Sequence, residues 1–196
     1  GTGELILHAL DAGAERLLIG IGGSATNDGG MGMLSALGAR FYGAQGETLR
    51  GSGAELARAA RVDFDGLDAR LARTQIEVIC DVTNPLLGPD GATVVYGPQK
   101  GVTPAMSTAL EAGMANYAAL LENTLGRDVS RFPGAGAAGG MGAALGGVLG
   151  ARLKKGIDAV LDAVDFDARI AGCDAVFTGE GRIDRQSVAF GKATAG

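Results

Sequence analysis

The sequence predicts an α/β protein, on three observations. Short apolar runs that read as strands alternate with stretches of helical periodicity, the pattern of layered α/β folds. Glycine is strongly enriched, with 35 in 196 residues, about 18% against a usual ~7%. The glycines crowd residues 20–30, 134–150 and 179–191 without a collagen-like period. Glycine gathered at particular loops suits backbones that adopt positive φ or approach a ligand closely.

In chain order, Glu4 to Ala12 reads as a helix with apolar Leu5, Leu7 and Leu10 and a stop at Gly13. Arg16 to Ile21 (RLLIGI) reads as a strand buried on both faces. A glycine loop, Gly22 to Gly30 (GGSATNDGG), then leads into a helix around Met31 to Leu37, with a further strand expected near Ala39 to Tyr42. Gln75 to Cys80 (QIEVIC) is the second clear strand, and Asp81 to Gly101, with three prolines and four glycines, is a shaped loop holding one short helix. Thr103 to Leu125 is a long helix, capped by Thr103, with Pro104 in its first turn and Gly126 at its stop. Its stripe runs Met106, Leu110, Met114, Tyr117, Leu121 and Leu125. Gly134 to Gly150 reads as a glycine loop feeding a small-residue helix, and Asp174 to Thr178 (DAVFT) as a third strand.

Composition narrows the function. Apolar residues are 46% and charged residues 20%, a globular balance. A net charge of -5 and a pI near 4.9 leave no basic stripe for nucleic acid, although a local cationic pocket is compatible with that charge. Cys80 and Cys173 match no metal or redox spacing and read as buried, reduced thiols of a cytoplasmic protein. No leader-like segment opens the sequence and no apolar run reaches the ~18 residues of a membrane span. A lone histidine, His8, excludes chemistry that needs two.

Polar and charged residues gather where strands end. In the first loop Gly22, Gly23, Ser24, Asn27 and Asp28 offer backbone N–H groups, a hydroxyl, an amide and an acid, a composition that suits an anion nest as well as a tight turn. Asp81 stands where QIEVIC stops, with Asn84 just beyond; it suits Mg²⁺, a substrate proton or a turn. Glu180 and Arg182 follow DAVFT beside Gly179 and Gly181, where the guanidinium fork can hold a carboxylate or phosphate. Lys100 and Lys192 sit beside glycines and suit phosphate charge, whereas Lys154 and Lys155 read as an exposed pair. The spacing Gly134-x-Gly136-x-x-Gly139 follows Phe132-Pro133 rather than a strand, and no G-x₄-G-K-[ST] loop occurs.

Five blocks resemble the type I glycerate kinase family, in its order and across nearly the whole sequence. They are Gly22 to Gly30, Cys80 to Leu86 (CDVTNPL), Gly97 to Gly101 (GPQKG), Gly134 to Gly140 (GAGAAGG) and Thr178 to Gln186 (TGEGRIDRQ). Ala193-Thr194 departs from the family's usual Ala-Pro. The resemblance implies a Rossmann- or flavodoxin-like sheet plus a second α/β domain, both incomplete here. Residues 1–196 would be the central part of a protein about twice as long, with the internal boundary open. It implies ATP-dependent phosphorylation of D-glycerate, at the 2-hydroxyl, with ATP and Mg²⁺ as cofactors. It also implies small-molecule partners, with a homodimer allowed. Asp81, Asp28 and Glu180 are then the candidate catalytic acids, Asp81 and Glu180 the candidate Mg²⁺ ligands. Gly22, Gly23, Ser24, Asn27, Asn84, Lys100, Arg182 and Lys192 are the candidate contacts to substrate and phosphate. Two other classes stay open. One is an NAD(P)-dependent oxidoreductase built on Gly20-x-Gly22-x-x-Ala25, which follows a strand but lacks the later ribose-binding acid. The other is a non-catalytic ligand-binding module.

Overall fold

The first helix, α1, spans Thr2–Asp11 and turns Ile6 and Leu10 inward. Glu4 in its first turn complements the helix dipole. Strand β1 (Arg16–Gly20) follows, then helix α2 (Met31–Ala36). Gly3 of α1 lies flat against Met33 and Ala36 of α2. Next come β2 (Arg40–Tyr42), β3 (Thr48–Leu49) and β4 (Arg61–Asp63). They pair antiparallel in the order β3-β2-β4. Strand β5 (Gln75–Ile79) returns beside β1 in parallel, with Leu17 opposite Ile76 and Ile19 opposite Val78. Helix α3 (Ala92–Tyr96) and the long α4 (Pro104–Leu125) precede α5 (Ala137–Gly142), which continues as a π-helical turn, Ala143–Val148. Strand β6 (Arg152–Lys154) completes the order β1-β5-β6. Helices α6 (Gly156–Ala163) and α7 (Phe166–Ile170) follow. This computed structural model describes residues 1–177 and 179, which fall into two compact units divided after Leu153.

The α/β class and the long capped helix stand as the sequence predicts. The Thr103 hydroxyl accepts from the Met106 N–H at 3.4 Å, and Gly126 closes α4 at φ 67°. Met114, Tyr117 and Leu121 of its stripe are buried, but Met106, in the first turn, is 47% exposed. The Tyr117 ring lies 5.7 Å from that of Phe41 on β2. One face of α4 is also tied down by polar contacts. Asn116 Nδ2 donates to the carbonyls of Leu56 and Ala59 at 2.9 and 2.8 Å.

Several expectations are corrected. β1 is not buried on both faces: Leu17 and Ile19 pack on the core, whereas Leu18 is 54% exposed. Alternate strand residues point to opposite faces, and among the described residues β1 is an edge of its sheet. No strand forms at residues 174–177, where Phe177 is almost wholly exposed. An extended segment gains its ladder bonds only beside a partner, and none pairs with it among the described residues. The third strand of the β1–β5 sheet is instead Arg152–Lys154, too short and polar to betray itself. Lys154 is therefore mostly buried rather than a solvated lysine, and it pairs with Asp162. Cys173 is exposed, not buried, and Cys80 is half-buried.

Arg70 ties the end of α1 to the 3₁₀ turn Ala69–Arg73, bridging Asp68 at 2.7 Å and Asp11 at 2.9 Å. The Arg70 guanidinium and the Arg70 N–H together hold the Asp68 carboxyl down at about 2, below its ordinary 3.8. A carboxylate whose folded pKa is depressed adds stability above its unfolded value and loses it as pH falls through the folded one. Wild type should therefore out-melt Asp68→Asn above pH 3.8, and thermal melts should show the gap closing as pH approaches about 2.

Candidate active site

Parallel strands β1 and β5 end side by side, at Gly20 and Ile79. Loops leaving the carboxyl ends of adjacent parallel strands enclose the usual ligand crevice of α/β sheets. Here they enclose a cavity of ≈ 500 Å³ whose wall includes Gly22, Gly23, Ser24, Asp81, Tyr96 and Lys100. A second hollow of ≈ 440 Å³ shares Gly22, Ser24 and Ala138 with the first and adds Thr26. The glycine loop is thus a wall common to two spaces.

A third segment supports that loop from behind. Residues Ala138, Gly139 and Gly140 all take left-handed φ, at 53°, 68° and 92°. Gly139 presses on the Thr26 carbonyl, leaving no room for a Cβ, and Gly140 lies where a Cβ would be 2.7 Å from the Gly29 Cα. The Gly29 N–H donates to the Gly139 carbonyl at 2.9 Å. Left-handed backbone costs a non-glycine residue of order 1–3 kcal/mol; Ala138 accepts that strain on the cavity wall. The glycine-rich stretch from 134 is therefore part loop and part helix, because only glycine tolerates both the φ and the contact.

Lys100 reaches into this arrangement. Its Nζ donates to the Thr26 carbonyl at 2.6 Å. Burial lowers its pKa below the ordinary lysine value, and the nearby charge of Asp28 opposes the shift. Asp28 itself does not line the cavity. Its Oδ1 accepts from the Gly30 N–H at 3.0 Å and its Oδ2 from the Gly32 N–H at 3.1 Å, so it caps the start of α2 and sets the loop's exit. Cys80, on the wall, is desolvated and its thiol pKa is raised, with its Sγ 3.2 Å from the Val82 carbonyl.

Of the residues singled out from sequence, the fold thus gathers Gly22, Gly23, Ser24, Asp81 and Lys100 on one wall. Asn27 and Asn84 stand off it. Asn27 Nδ2 donates to the buried Thr93 hydroxyl at 3.2 Å, while its Oδ1 is buried without a hydrogen-bond partner among the described residues. Asn84 donates to the Asp90 carbonyl and accepts from Tyr96. Glu180, Arg182 and Lys192 lie outside the described residues. Tyr96 and Ala138 also line the cavity, and no sequence motif marks either as a ligand contact. Tyr96 precedes Lys100 by four residues in a predicted shaped loop, which was its one legible signal. The dinucleotide reading fails structurally: its third small residue, Ala25, stands well before α2 begins at Met31, instead of packing in the helix.

Glycines, a lysine and an acid gathered at the ends of parallel strands make an α/β fold whose strand-end cavity is of a composition suited to anions. The chain belongs to the glycerate kinase family, which it matches over residues 1–196. It is 54% identical over 196 residues to a glycerate kinase of Bacillus cereus, covering 100% of this chain and 51% of that protein. It is 52% identical over 188 residues to glycerate 2-kinase of Escherichia coli, covering 96% and 49%. A crystal structure from Salmonella typhimurium, of a protein assigned as glycerate kinase 2, superposes with a TM-score of 0.88 at 55% identity, covering 96% of this chain and 50% of the other. The chain spans about half the length of these relatives. Among the described residues, no helix is long and apolar enough to cross a membrane.

Two outcomes follow from this packing. Gly139→Ala should destabilise the unit by at least ~1–3 kcal/mol, since it adds both left-handed strain and a clash, read from urea unfolding midpoints. If protonated Lys100 holds an anion, binding should weaken on the alkaline side starting below pH 10.5, the ordinary lysine value. Lys100→Arg, which stays charged, should carry the bound state to higher pH in an affinity–pH series.

Proposed function

We propose that this chain supplies the glycine-lined wall of an ATP-dependent glycerate kinase that phosphorylates D-glycerate, at its 2-hydroxyl, in the cytoplasm. The observation that carries the reading is Lys100 drawn onto the Thr26 carbonyl at the β1–β5 strand ends, within a chain of the glycerate kinase family. The names of the B. cereus and E. coli relatives favour the same substrate. Two adjoining hollows with one common wall suit a reaction in which two substrates must meet.

In that reaction a glycerate hydroxyl oxygen bonds to the γ-phosphorus of ATP, the bond to the ADP oxygen breaks, and the hydroxyl proton passes to a base. Catalysis of phosphoryl transfer is mainly positioning and charge neutralisation. Lys100 offers a charge-assisted donor to a carboxylate or phosphate, in a half-buried place where such bonds are stronger than in water. The backbone of Gly22 and Gly23 lets an anion approach the main chain without side-chain obstruction. Magnesium–nucleotide sites use one or two carboxylates together with phosphate oxygens and water, which fits Asp81, the one carboxylate among the described residues of this wall. Among the described residues, no cluster of three or more His, Cys, Asp or Glu offers an all-protein cage. Mg²⁺ held there would neutralise charge on the phosphoryl oxygens. Asp81 thus suits either of two duties, proton acceptor or metal ligand; Glu180 and Arg182 remain further candidates from the sequence.

The test is ADP release that depends on glycerate, ATP and Mg²⁺ in the full-length protein. Asp81→Asn should lower turnover by about 10²–10⁴-fold, and a loss smaller than about tenfold removes Asp81 from the chemistry. Partial recovery at raised Mg²⁺ marks it as the metal ligand. Wild-type protein that releases no ADP in response to glycerate overturns the reading itself.

A further inference from the structure

Tyr96 closes α3 and lines the larger cavity together with Cys80 and Lys100. The direction of its hydroxyl hydrogen follows from its partner. Asn84 Nδ2 donates to the Asp90 carbonyl at 2.8 Å. A carbonyl can only accept, so that contact identifies the amide nitrogen and leaves Oδ1 as the atom facing Tyr96. Oδ1 cannot donate, and the 2.7 Å contact is therefore Tyr96 donating to Asn84. The Asn84 backbone is held as well, its carbonyl accepting from the Gly136 N–H at 3.0 Å. With its one hydrogen committed, the phenolic oxygen can only accept from a ligand. Burial, with the neighbouring Cys80 as a lesser cause, raises the phenol pKa, so the oxygen stays neutral. Lys100 offers the wall a charged donor, which suits a carboxylate or phosphate. A ligand hydroxyl needs the opposite, an acceptor that adds no charge.

We infer that Tyr96 recognises a hydroxyl of the bound hydroxy acid, accepting a hydrogen bond from the hydroxyl that is not phosphorylated, because a phenol that keeps its own hydrogen cannot take the proton the reacting hydroxyl gives up. Asn84 is then a positioning residue that commits the Tyr96 hydrogen and frees its lone pairs for the ligand. This rests on the glycerate kinase reading and adds to it the residue that separates glycerate from acids with one hydroxyl fewer.

Titration calorimetry on the full-length protein compares glycerate with lactate, which lacks the 3-hydroxyl, and with 3-hydroxypropanoate, which lacks the 2-hydroxyl. Tyr96→Phe should weaken glycerate about tenfold, the worth of one desolvated hydrogen bond. Lactate should change less than about twofold, because the contact is already missing. In turnover, the loss should fall on KM with kcat nearly unchanged. Asn84→Ala keeps the ring and hydroxyl but releases the hydrogen. It should cost glycerate ~3-fold and narrow the gap to lactate, and it carries the test if Tyr96→Phe melts before binding can be measured. Equal losses for glycerate and lactate, or no loss for either, overturn the inference. A Tyr96→Phe effect that vanishes with 3-hydroxypropanoate instead of lactate also overturns it, by placing the contact on the other hydroxyl. Wild-type protein that binds no glycerate sinks the functional reading and this inference together, whereas wild-type binding that Tyr96→Phe leaves intact sinks the inference alone.

Discussion

Backbone pressed directly on backbone is the constraint on which the site depends. The loop after β1 is held where it is because Gly139 and Gly140 come up against Thr26 and Gly29 with no side chain between them, and a hydrogen bond from Gly29 to Gly139 locks the contact. Interiors are packed to near crystal density, so one added methyl group at such a point moves a whole segment. That explains why left-handed geometry is sustained over three consecutive residues, alanine among them.

The charges are organised around the same loop. Asp28 spends both carboxylate oxygens on the N–H groups at the entry to α2, yet its field still reaches the half-buried Lys100. An acid that shapes the loop thus also helps keep the lysine charged. Lys100 returns the favour structurally by bonding the Thr26 carbonyl, the same residue that Gly139 abuts. Loop shape and site electrostatics are one arrangement, so a change in either is felt by the other.

Much of this was legible in the residues, and some was not, for identifiable reasons. RLLIGI and QIEVIC announced β1 and β5 because their apolar runs are bounded by glycine or acid. RLK at 152–154 is too polar for any period to register, and it joins the sheet through its place beside β5. DAVFT has the better strand composition and forms no strand over 174–177, since ladder bonds need a neighbour and composition does not supply one. Asn27 and Asn84 were as plausible as Ser24 for ligand contact, because an amide in a loop looks the same whether it faces a cavity or holds the wall behind it. Tyr96 carries no motif in the sequence because its value lies in which partner takes its hydrogen.

By itself the sequence determined the α/β class, the capped long helix, the glycine-rich loops and the family to which the chain belongs. These follow from local periodicity, turn chemistry and contiguous motifs, which are written along the chain. Tertiary structure alone decided which polar residues meet. It set Lys100 on Thr26 across 74 residues, turned Asn84 toward Tyr96 and left Leu18 in solvent. Those outcomes depend on which segments are brought into contact, and contact between distant segments is a property of packing that no local pattern encodes.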